Sequence, residues 1–253
     1  MSGLSPSLRV AATEAARAPR LLVGTDFDGT LAPIVAEPGE ARALDECLDA
    51  LRELVGLPGV GVAVLSGRSL RELRLLLPGA DGVRLVGSHG AEWDEDGDHV
   101  LSEDQERLRA QLVLELARTA ATAAGILLER KPAGAAVHVR RATRDDAVRV
   151  LDEVRAGPAR WPGVHVTEGK EVIELSVVDV DKGRAFARLR DTLGADAAVF
   201  VGDDVTDENV FAVLGDRDLS VKVGAGRSRA AHRVESPAEV ALVLRALALA
   251  RRD

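Results

Sequence analysis

The chain has 253 residues, of which 46% are hydrophobic, so it can bury a large core in one domain or in a core with a smaller insert. Its net charge of −8 and its scattered Lys and Arg argue against a nucleic-acid-binding surface. The single cysteine, Cys47, excludes an internal disulfide and a cysteine-rich metal site. No apolar run of about 18 residues occurs, and residues 1–20 have no apolar segment of signal-peptide type. We therefore expect a cytoplasmic protein with no membrane association.

The first motif follows an apolar, strand-like run at residues 21–25. Two carboxylates come next, Asp26 and Asp28, and the turn residues Gly29 and Thr30 follow them. Because side chains alternate along a strand, the carboxylates converge only if the chain bends right after Asp26, which Gly29 makes easy. Converging carboxylates suit a hard cation such as Mg²⁺, whose other ligands are waters or phosphate oxygens. The alternative is that both aspartates only stabilise a turn.

Two further strand-like runs alternate with helical patterns. Residues 60–65 end at Ser66-Gly67-Arg68, and residues 83–86 end at a glycine-rich loop. Apolar residues at helical spacing predict helices at 44–55 and 69–77. Strands that alternate with helices pair in parallel through right-handed crossovers, and ligands then gather at the carboxyl ends of the strands.

The pattern changes near residue 91. A turn between short strands is expected around Gly97, and long helices then alternate with pairs of short strands. This order is typical of an α+β unit with an antiparallel sheet, inserted between the halves of an α/β domain. The helices are expected at 102–120 and 144–156, and the paired strands at 126–130 with 135–140 and at 164–167 with 171–177.

The first pattern returns at Asp181-Lys182-Gly183, which begins a helix. A buried strand at 197–201 then ends in Gly202-Asp203-Asp204-Val205-Thr206-Asp207-Glu208, and four acids after a buried strand favour a bound cation. The predicted fold is a doubly wound, Rossmann-like α/β core with an inserted α+β cap. Its predicted parts are an N-terminal segment at 1–20, the core at 21–94 and 178–253, and the cap at 95–177.

These motifs occur in the order of the haloacid dehalogenase superfamily of phosphohydrolases, which the chain resembles over nearly its whole length. Within that superfamily it is similar to the trehalose-6-phosphate phosphatase family. The resemblance is carried by Asp26-Phe27-Asp28-Gly29-Thr30, Leu31-Ala32-Pro33-Ile34, Ser66-Gly67-Arg68, Gly87-Ser88-His89-Gly90-Ala91-Glu92, Glu129-Arg130-Lys131, His138-Val139-Arg140, Lys182 and the acidic motif at 202–208.

The resemblance implies catalytic roles for four residues. Asp26 would attack phosphorus and form an aspartyl-phosphate, which splits one difficult displacement into two easier ones. Asp28 would protonate the leaving sugar oxygen and later deprotonate the hydrolytic water. Ser66 would bind a phosphoryl oxygen. Lys182 would supply positive charge, which an anionic nucleophile needs before it can approach a phosphate.

The resemblance also implies Mg²⁺ as cofactor. The side chain of Asp26, the main-chain carbonyl of Asp28 and the side chain of Asp203 would hold the ion. Asp207, a turn later, would lie outside these ligands and orient them or a water, and Arg68 would support the loop that carries Ser66.

The inserted cap would recognise the sugar, since several charged residues there suit sugar hydroxyls in a chain with few aromatics. Each of them could instead be an ordinary solvated charge. Ser176-Val177 stands where the family commonly has a basic residue followed by proline, which removes one expected substrate contact. By resemblance, the residues that reach the distal glucose are Glu129, Lys131, Arg140, Lys170 and Glu174.

Other interpretations of single residues stay open at this stage. Ser66 could be the N-cap of the next helix, and Lys182 could be a solvated surface charge. Asp204 and Glu208 fit acids at a helix N-terminus. His89 could act in the site or only satisfy backbone groups.

We expect a monomeric enzyme that binds a small sugar phosphate and no nucleic acid. The first alternative is a phosphatase of sucrose 6-phosphate or of a glycosyl-phosphoglycerate, which the cap would distinguish. The second is a non-catalytic domain that binds sugar phosphates for regulation.

Overall fold

The computed structural model describes residues 3–35, 37–94, 101–169 and 171–252. The chain divides into two compact units, Met1–Asp96 with Asp181–Asp253, here called the core unit, and Gly97–Val180, here called the inserted unit. The division lies two to three residues after the boundaries expected at 95 and 177.

The described elements follow in chain order. The strands are β1 (Leu21–Thr25), β2 (Val60–Leu65), β3 (Val83–Gly87), β4 (Glu92–Trp93), β5 (Leu127–Lys131), β6 (Gly134–His138), β7 (His165–Gly169), β8 (Val172–Ser176), β9 (Ala197–Gly202), β10 (Leu219–Val223) and β11 (His232–Val234). The helices are α1 (Pro6–Ala16), α2 (Asp45–Val55), α3 (Leu70–Leu76), α4 (Glu103–Ala120), α5 (Arg144–Ala156), α6 (Lys182–Leu193), α7 (Glu208–Val213) and α8 (Pro237–Arg252).

The sheet of the core unit has the order β11-β10-β9-β1-β2-β3-β4. Its strand pairs are parallel except for β4, which runs antiparallel to β3. Strand β1 lies between β9 and β2 and is buried along its whole length, which explains the three apolar residues at its start. The predicted doubly wound α/β core is confirmed.

Helices cover both faces of this sheet. Leu22 and Val23 are neighbours on β1 and point to opposite faces, so each packs into a different core. Val23 lies in the larger core with α1, α2, α3 and α8. Leu22 lies in the smaller one, where Phe186 of α6 packs edge-on against Phe200 of β9 with 5.2 Å between ring centres.

The inserted unit has an antiparallel sheet of order β5-β6-β8-β7 and the helices α4 and α5. Both helices pack on one face of the sheet, where Leu112 and Val150 meet Val137, Ile173 and Leu175. The predicted order of helix, hairpin, helix and hairpin is confirmed, with strand ends shifted by one or two residues.

Two short elements of the core unit were missing from the sequence interpretation. Strand β11 has three residues, of which Val234 alone is buried, so it carries no apolar pattern. Helix α7 has six residues and begins inside the acidic motif, whose charged residues give no helical pattern of apolar residues. The turn predicted around Gly97 lies outside the described residues. Among the helices that the structure describes, none is both long and apolar enough to cross a membrane.

Candidate active site

The candidate site lies at the carboxyl ends of β1, β2 and β9. The N–H of Asp26 donates to the carbonyl of Val201 (2.9 Å), which extends the pairing of β1 with β9 by one residue. The chain then turns: Gly29 has a φ of 76°, and its N–H donates to the carbonyl of Ala32 (2.8 Å). The bend that the Asp-x-Asp spacing required is present, and glycine occupies the position where the left-handed conformation arises.

Three carboxylates meet at this edge. One oxygen each from Asp26, Asp203 and Asp207 lies within 4.8 Å of the others. Asp26 is 4% exposed and Asp207 is fully buried. The resemblance implies that Asp207 lies outside the ligands of the ion, but Asp207 is a member of this group, here called the acidic cluster. The side chain of Asp28 is not in the cluster.

Two glycines make room for the acidic cluster. A Cβ atom on Gly29 would lie 2.1 Å from Oδ2 of Asp203, and one on Gly202 would lie 2.4 Å from Cγ of Asp207. Real Cβ atoms do not approach so closely, so both positions require glycine or a displaced carboxylate. This explains the glycine in each acidic motif.

Lys182 is the cation of the acidic cluster. It is the first residue of α6, whose N-cap is Asp181, and it is 2% exposed. Its Nζ donates to Oδ1 of Asp26 (2.7 Å) and to Oδ1 of Asp207 (2.8 Å). Burial on its own lowers the pKa of Lys182, but the carboxylates of Asp207 and Asp26 raise it above its usual value, so the amine stays charged.

The acidic cluster nevertheless has more negative than positive groups. Burial raises the pKa of Asp26 well above its usual value; Lys182 opposes this, whereas Asp207 and Asp203 add to it. Burial, together with Asp207 and Asp204, raises the pKa of Asp203 to about 6. Three carboxylates facing one ammonium repel each other, and a divalent cation would relieve that repulsion.

The acidic cluster fits a hard divalent ion. Carboxylate oxygens are the ligands that Mg²⁺ prefers. Within the described part of the chain, Oδ1 of Asp203 is buried without a hydrogen-bond partner. Since buried polar atoms are nearly always paired, this oxygen marks a place for a ligand that the protein itself does not supply.

Asp28 has a different partner. Its two oxygens accept from Nε and Nη2 of Arg68 at 2.6 and 2.7 Å, a two-pronged ion pair. The side chain of Asp28 is 34% exposed and that of Arg68 9%. The partly exposed carboxylate of Asp28 therefore keeps access to solvent, and the ion pair fixes its orientation.

Ser66 lies at the end of β2 and is 1% exposed. Its Oγ accepts from the N–H of Arg68 (3.2 Å). The alternative that Ser66 caps the next helix is wrong, because Ser69 is the N-cap of α3 and forms a capping box with Glu72. The alternative that Lys182 is a surface charge is wrong as well, because it is buried.

The loop after β3 supports the loop that carries Ser66. The sequence left open whether His89, in the loop after β3, acts in the site or only satisfies backbone groups. The N–H groups of Ser88 and His89 donate to the carbonyls of Arg68 (2.8 Å) and Ser66 (2.9 Å). Both residues have positive φ, and Glu92 accepts from the Ser88 hydroxyl (2.5 Å). In the sequence, the glutamate that ends the Gly-Ser-His-Gly-Ala-Glu motif, Glu92, was the signal for this hydrogen-bond network.

Two acids of the late motif behave as helix-terminal acids. Asp204 is the N-cap of the short 3₁₀ turn Val205–Asp207, and its N–H donates to Oδ2 of Asp207 (2.9 Å). Glu208 is the first residue of α7 and accepts from the N–H of Arg229 (2.8 Å). Both observations agree with the interpretation that the helix dipole favours acids at these positions.

Lys222 was missed by the sequence interpretation, which treated residues 219–223 only as a strand. It is 5% exposed, and its Nζ donates to the main-chain carbonyls of Asp203 and Val223. A lysine between two valines of a buried strand was the available signal, since unpaired lysine is almost never fully buried.

In the inserted unit, three of the predicted sugar-contacting residues share the sheet face opposite α4 and α5. Glu129 and Glu174 both pair with Ala136, and Lys131 lies two residues beyond Glu129. Lys131 forms an ion pair with Glu174, and both side chains are largely buried. Burial raises the pKa of Glu174, which Lys131 opposes. Oε2 of Glu129 lies within hydrogen-bond distance of Nε2 of His138 (2.9 Å).

The other two predicted contacts differ. Arg140 forms a half-exposed ion pair with Glu171 (3.2 Å). Lys170 lies outside the described residues. Ser176 occupies the position where the family commonly has a basic residue. It closes a local turn, because its Oγ accepts from the N–H of Val178 (3.1 Å).

Known proteins resemble this chain in sequence. The model of the trehalose-phosphatase family matches residues 24–240. A trehalose-phosphate phosphatase of Mycobacterium marinum is 35% identical over 238 residues, which is 88% of this chain and 60% of that protein. The chain thus spans about 60% of the length of this curated relative.

Solved structures show the same similarity. A trehalose-6-phosphate phosphatase of Aspergillus fumigatus aligns with a TM-score of 0.68 and 27% identity, covering 98% of both chains. The C-terminal domain of the Candida albicans enzyme aligns with a TM-score of 0.79 and 23% identity, covering 97% of this chain and 98% of that one, and supports the fold alone. With the family model matching most of its length, the chain belongs to the trehalose-phosphatase family.

Proposed function

We propose that the chain is a Mg²⁺-dependent phosphatase that hydrolyses trehalose 6-phosphate to trehalose and phosphate through an aspartyl-phosphate on Asp26. The observation that carries the proposal is the placement of Asp26: it lies buried at the end of β1, is held by Lys182, and shares the acidic cluster with Asp203 and Asp207. Family membership indicates the substrate class.

In the first step, a carboxylate oxygen of Asp26 forms a bond to phosphorus while the bond from phosphorus to the sugar oxygen breaks. Asp28 gives a proton to that sugar oxygen, which leaves as a neutral hydroxyl. General acid assistance of this kind contributes roughly 10²- to 10⁴-fold to rate. The partial exposure of Asp28 supports this role, since its carboxyl group has access to a leaving group.

In the second step, a water attacks phosphorus and the bond between phosphorus and the Asp26 oxygen breaks. Asp28 takes a proton from that water, phosphate leaves, and Asp26 returns to its free carboxylate. The ion pair with Arg68 holds Asp28 in one orientation for both proton transfers.

Positive charge and hydrogen-bond donors must offset the phosphoryl oxygens, which otherwise repel the nucleophile. Lys182 lies 2.7 Å from Asp26 and supplies one charge. The Ser66 hydroxyl supplies a donor to a phosphoryl oxygen. Mg²⁺, held by Asp26, Asp203 and the main-chain carbonyl of Asp28, would offset phosphoryl charge when bound.

The inserted unit recognises the sugar in this proposal. Its sheet carries buried charged groups on the face that α4 and α5 leave uncovered, and such groups pair well with hydroxyls. The proposed contacts are Glu129, Lys131, Arg140, Lys170 and Glu174. Because Ser176 replaces an expected basic residue, we do not assign a charged contact there.

Phosphate release from three substrates tests the function. Trehalose 6-phosphate, glucose 6-phosphate and sucrose 6-phosphate are each assayed with Mg²⁺ and with chelator. We expect the highest kcat/KM for trehalose 6-phosphate, and no turnover with chelator. Faster release from sucrose 6-phosphate would reassign the substrate, and no release from any of the three would favour a binding domain without catalysis.

Asp26→Asn tests the covalent mechanism. The amide has nearly the same shape but cannot attack phosphorus, so we expect phosphate release to fall to background while circular dichroism stays unchanged. Asp204→Asn is the matched control, since Asp204 is an exposed acid next to the acidic cluster. Appreciable turnover by Asp26→Asn would refute Asp26 as nucleophile.

A further inference from the structure

Lys222 is a buried lysine that the proposed mechanism does not use. It lies on β10, opposite Gly202 of β9 in the parallel register, and so next to the strand that ends in the acidic motif. On its other side it pairs with Arg233 of β11. The sheet therefore presents Lys222 to the main chain at the start of the acidic motif.

The partners of Lys222 are unusual for a buried ammonium group. Its Nζ donates to the carbonyl of Asp203 and to the carbonyl of Val223, the latter at 3.0 Å. None of the carboxylates in the described ranges forms an ion pair with it. Burying an ammonium without a carboxylate is costly, and a neutral donor could satisfy a carbonyl at lower cost. The charge therefore requires another explanation.

The position of Asp203 supplies that explanation. Oδ2 of Asp203 touches Gly29, its Oδ1 is buried without a protein partner in the part of the chain described, and Asp26 and Asp207 lie beside it. Mutual repulsion drives such a carboxylate out of the acidic cluster unless its main chain is held. The bond from Lys222 to the carbonyl of Asp203 holds that main chain.

We propose that Lys222 is a positioning residue for the divalent-cation site: it fixes the main chain of Asp203 so that the carboxylate stays in the acidic cluster. This inference rests on the proposed function. Groups that orient metal ligands typically change metal affinity about 10- to 100-fold when they are removed. We expect an effect of that size on cation affinity, and a smaller effect on the KM for sugar phosphate at saturating Mg²⁺.

The test measures Mn²⁺ binding without substrate, because Mn²⁺ prefers the same oxygen ligands as Mg²⁺ and its free form is seen by electron paramagnetic resonance. Lys222→Met removes the donor and the charge, and Lys222→Gln is a second variant that keeps a neutral polar group. Lys222→Arg keeps the charge and donors and should recover most of the affinity.

Arg233→Met is the matched control. Arg233 is the neighbour of Lys222 on β11, and its guanidinium also donates to main-chain carbonyls, those of Gly224 and Gly226, without touching Asp203. We expect Arg233→Met to bind Mn²⁺ as the wild type does. An equal loss in both variants would show a general disturbance of this sheet edge and would overturn the specific role of Lys222.

The remaining outcomes are distinct. Weaker Mn²⁺ binding by Lys222→Met and Lys222→Gln, with wild-type circular dichroism and recovery in Lys222→Arg, supports the inference. Wild-type affinity in either folded variant, or loss of the fold in both, assigns Lys222 a purely structural role and overturns it. If the wild type binds no Mn²⁺, the proposed cation site fails first, and this inference fails with it.

Discussion

The guanidinium of Arg68 donates to both carboxylate oxygens of Asp28, at 2.6 and 2.7 Å, and it lies 5.5 Å from the ring centre of Phe27. Two parallel hydrogen bonds define the plane of a carboxylate as well as its position. The contact with Phe27 restrains the guanidinium in turn. The proposed acid and base of the reaction is thus oriented by a residue 40 positions later in the chain.

Replacing Arg68 by Met should therefore lower kcat about 10- to 100-fold and change KM less, because a misplaced catalytic group can cost about 10²-fold. Arg68→Lys keeps the positive charge but loses the two parallel donors of the guanidinium, so it should recover only part of the rate. Arg74→Met is the control, since Arg74 pairs with Asp94 on the surface. Steady-state kinetics decide, and an unchanged kcat in Arg68→Met would show that Asp28 needs no such partner.

Gly29→Ala should disable the site. Its Cβ would overlap Oδ2 of Asp203, and φ of 76° disfavours alanine by roughly 1 kcal/mol or more. We expect loss of phosphatase activity and of Mn²⁺ binding with a small loss of thermal stability. Gly224→Ala serves as the control, since Gly224 also has positive φ but open space around it. Equal damage in both variants would point to backbone strain rather than to the contact with Asp203.

The buried pair of Lys131 and Glu174 in the inserted unit invites a double-mutant cycle. Lys131→Met removes the ammonium that forms an ion pair with the buried carboxylate of Glu174 and should cost about 3–5 kcal/mol, whereas Lys131→Met with Glu174→Leu should recover most of that stability. Both variants should lose activity on trehalose 6-phosphate if the pair binds sugar. Urea unfolding and kinetics measure the two effects, and a fully active double variant would remove the pair from the sugar site.

The pH dependence of Lys131→Met follows from the direction of the Glu174 shift. Burial raises the pKa of Glu174 in the folded state, and loss of Lys131 removes the group that opposes this. A raised carboxyl pKa favours folding at low pH, and that advantage is lost as pH rises through the folded value. The loss in free energy of unfolding of Lys131→Met relative to wild type should therefore shrink as pH falls from 7 toward about 4.3, the usual pKa of a glutamate. A deficit that grows on acidification would contradict this.

Cys47 should be unreactive in the native protein. Burial raises the pKa of its thiol to about 12, and its Sγ donates to the carbonyl of Pro237 (3.4 Å). The reactive thiolate is therefore nearly absent near neutral pH. A thiol reagent that forms disulfides should label Cys47 only in denaturant. Rapid labelling without denaturant would show that α2 opens locally.

Much of the fold was predictable because its signals are local. Strand β1 begins with three apolar residues, and α5 begins and ends at the predicted residues 144 and 156. Both hairpins of the inserted unit follow from short apolar runs around tight turns. Short elements without such a pattern, β11 and α7, were not predictable. They are stabilised by the strands and helices beside them rather than by their own sequences.

By itself, the sequence determined the alternation of strands and helices, the insert, and the placing of acidic motifs after buried strands, since each is written in neighbouring residues. Only the tertiary structure decided which acids meet. Lys182 reaches Asp26 across 156 positions, Asp207 joins the acidic cluster, and the side chain of Asp28 turns to Arg68 instead. The parallel sheet aligns the ends of distant strands, and side-chain direction after each bend depends on packing that no local pattern encodes.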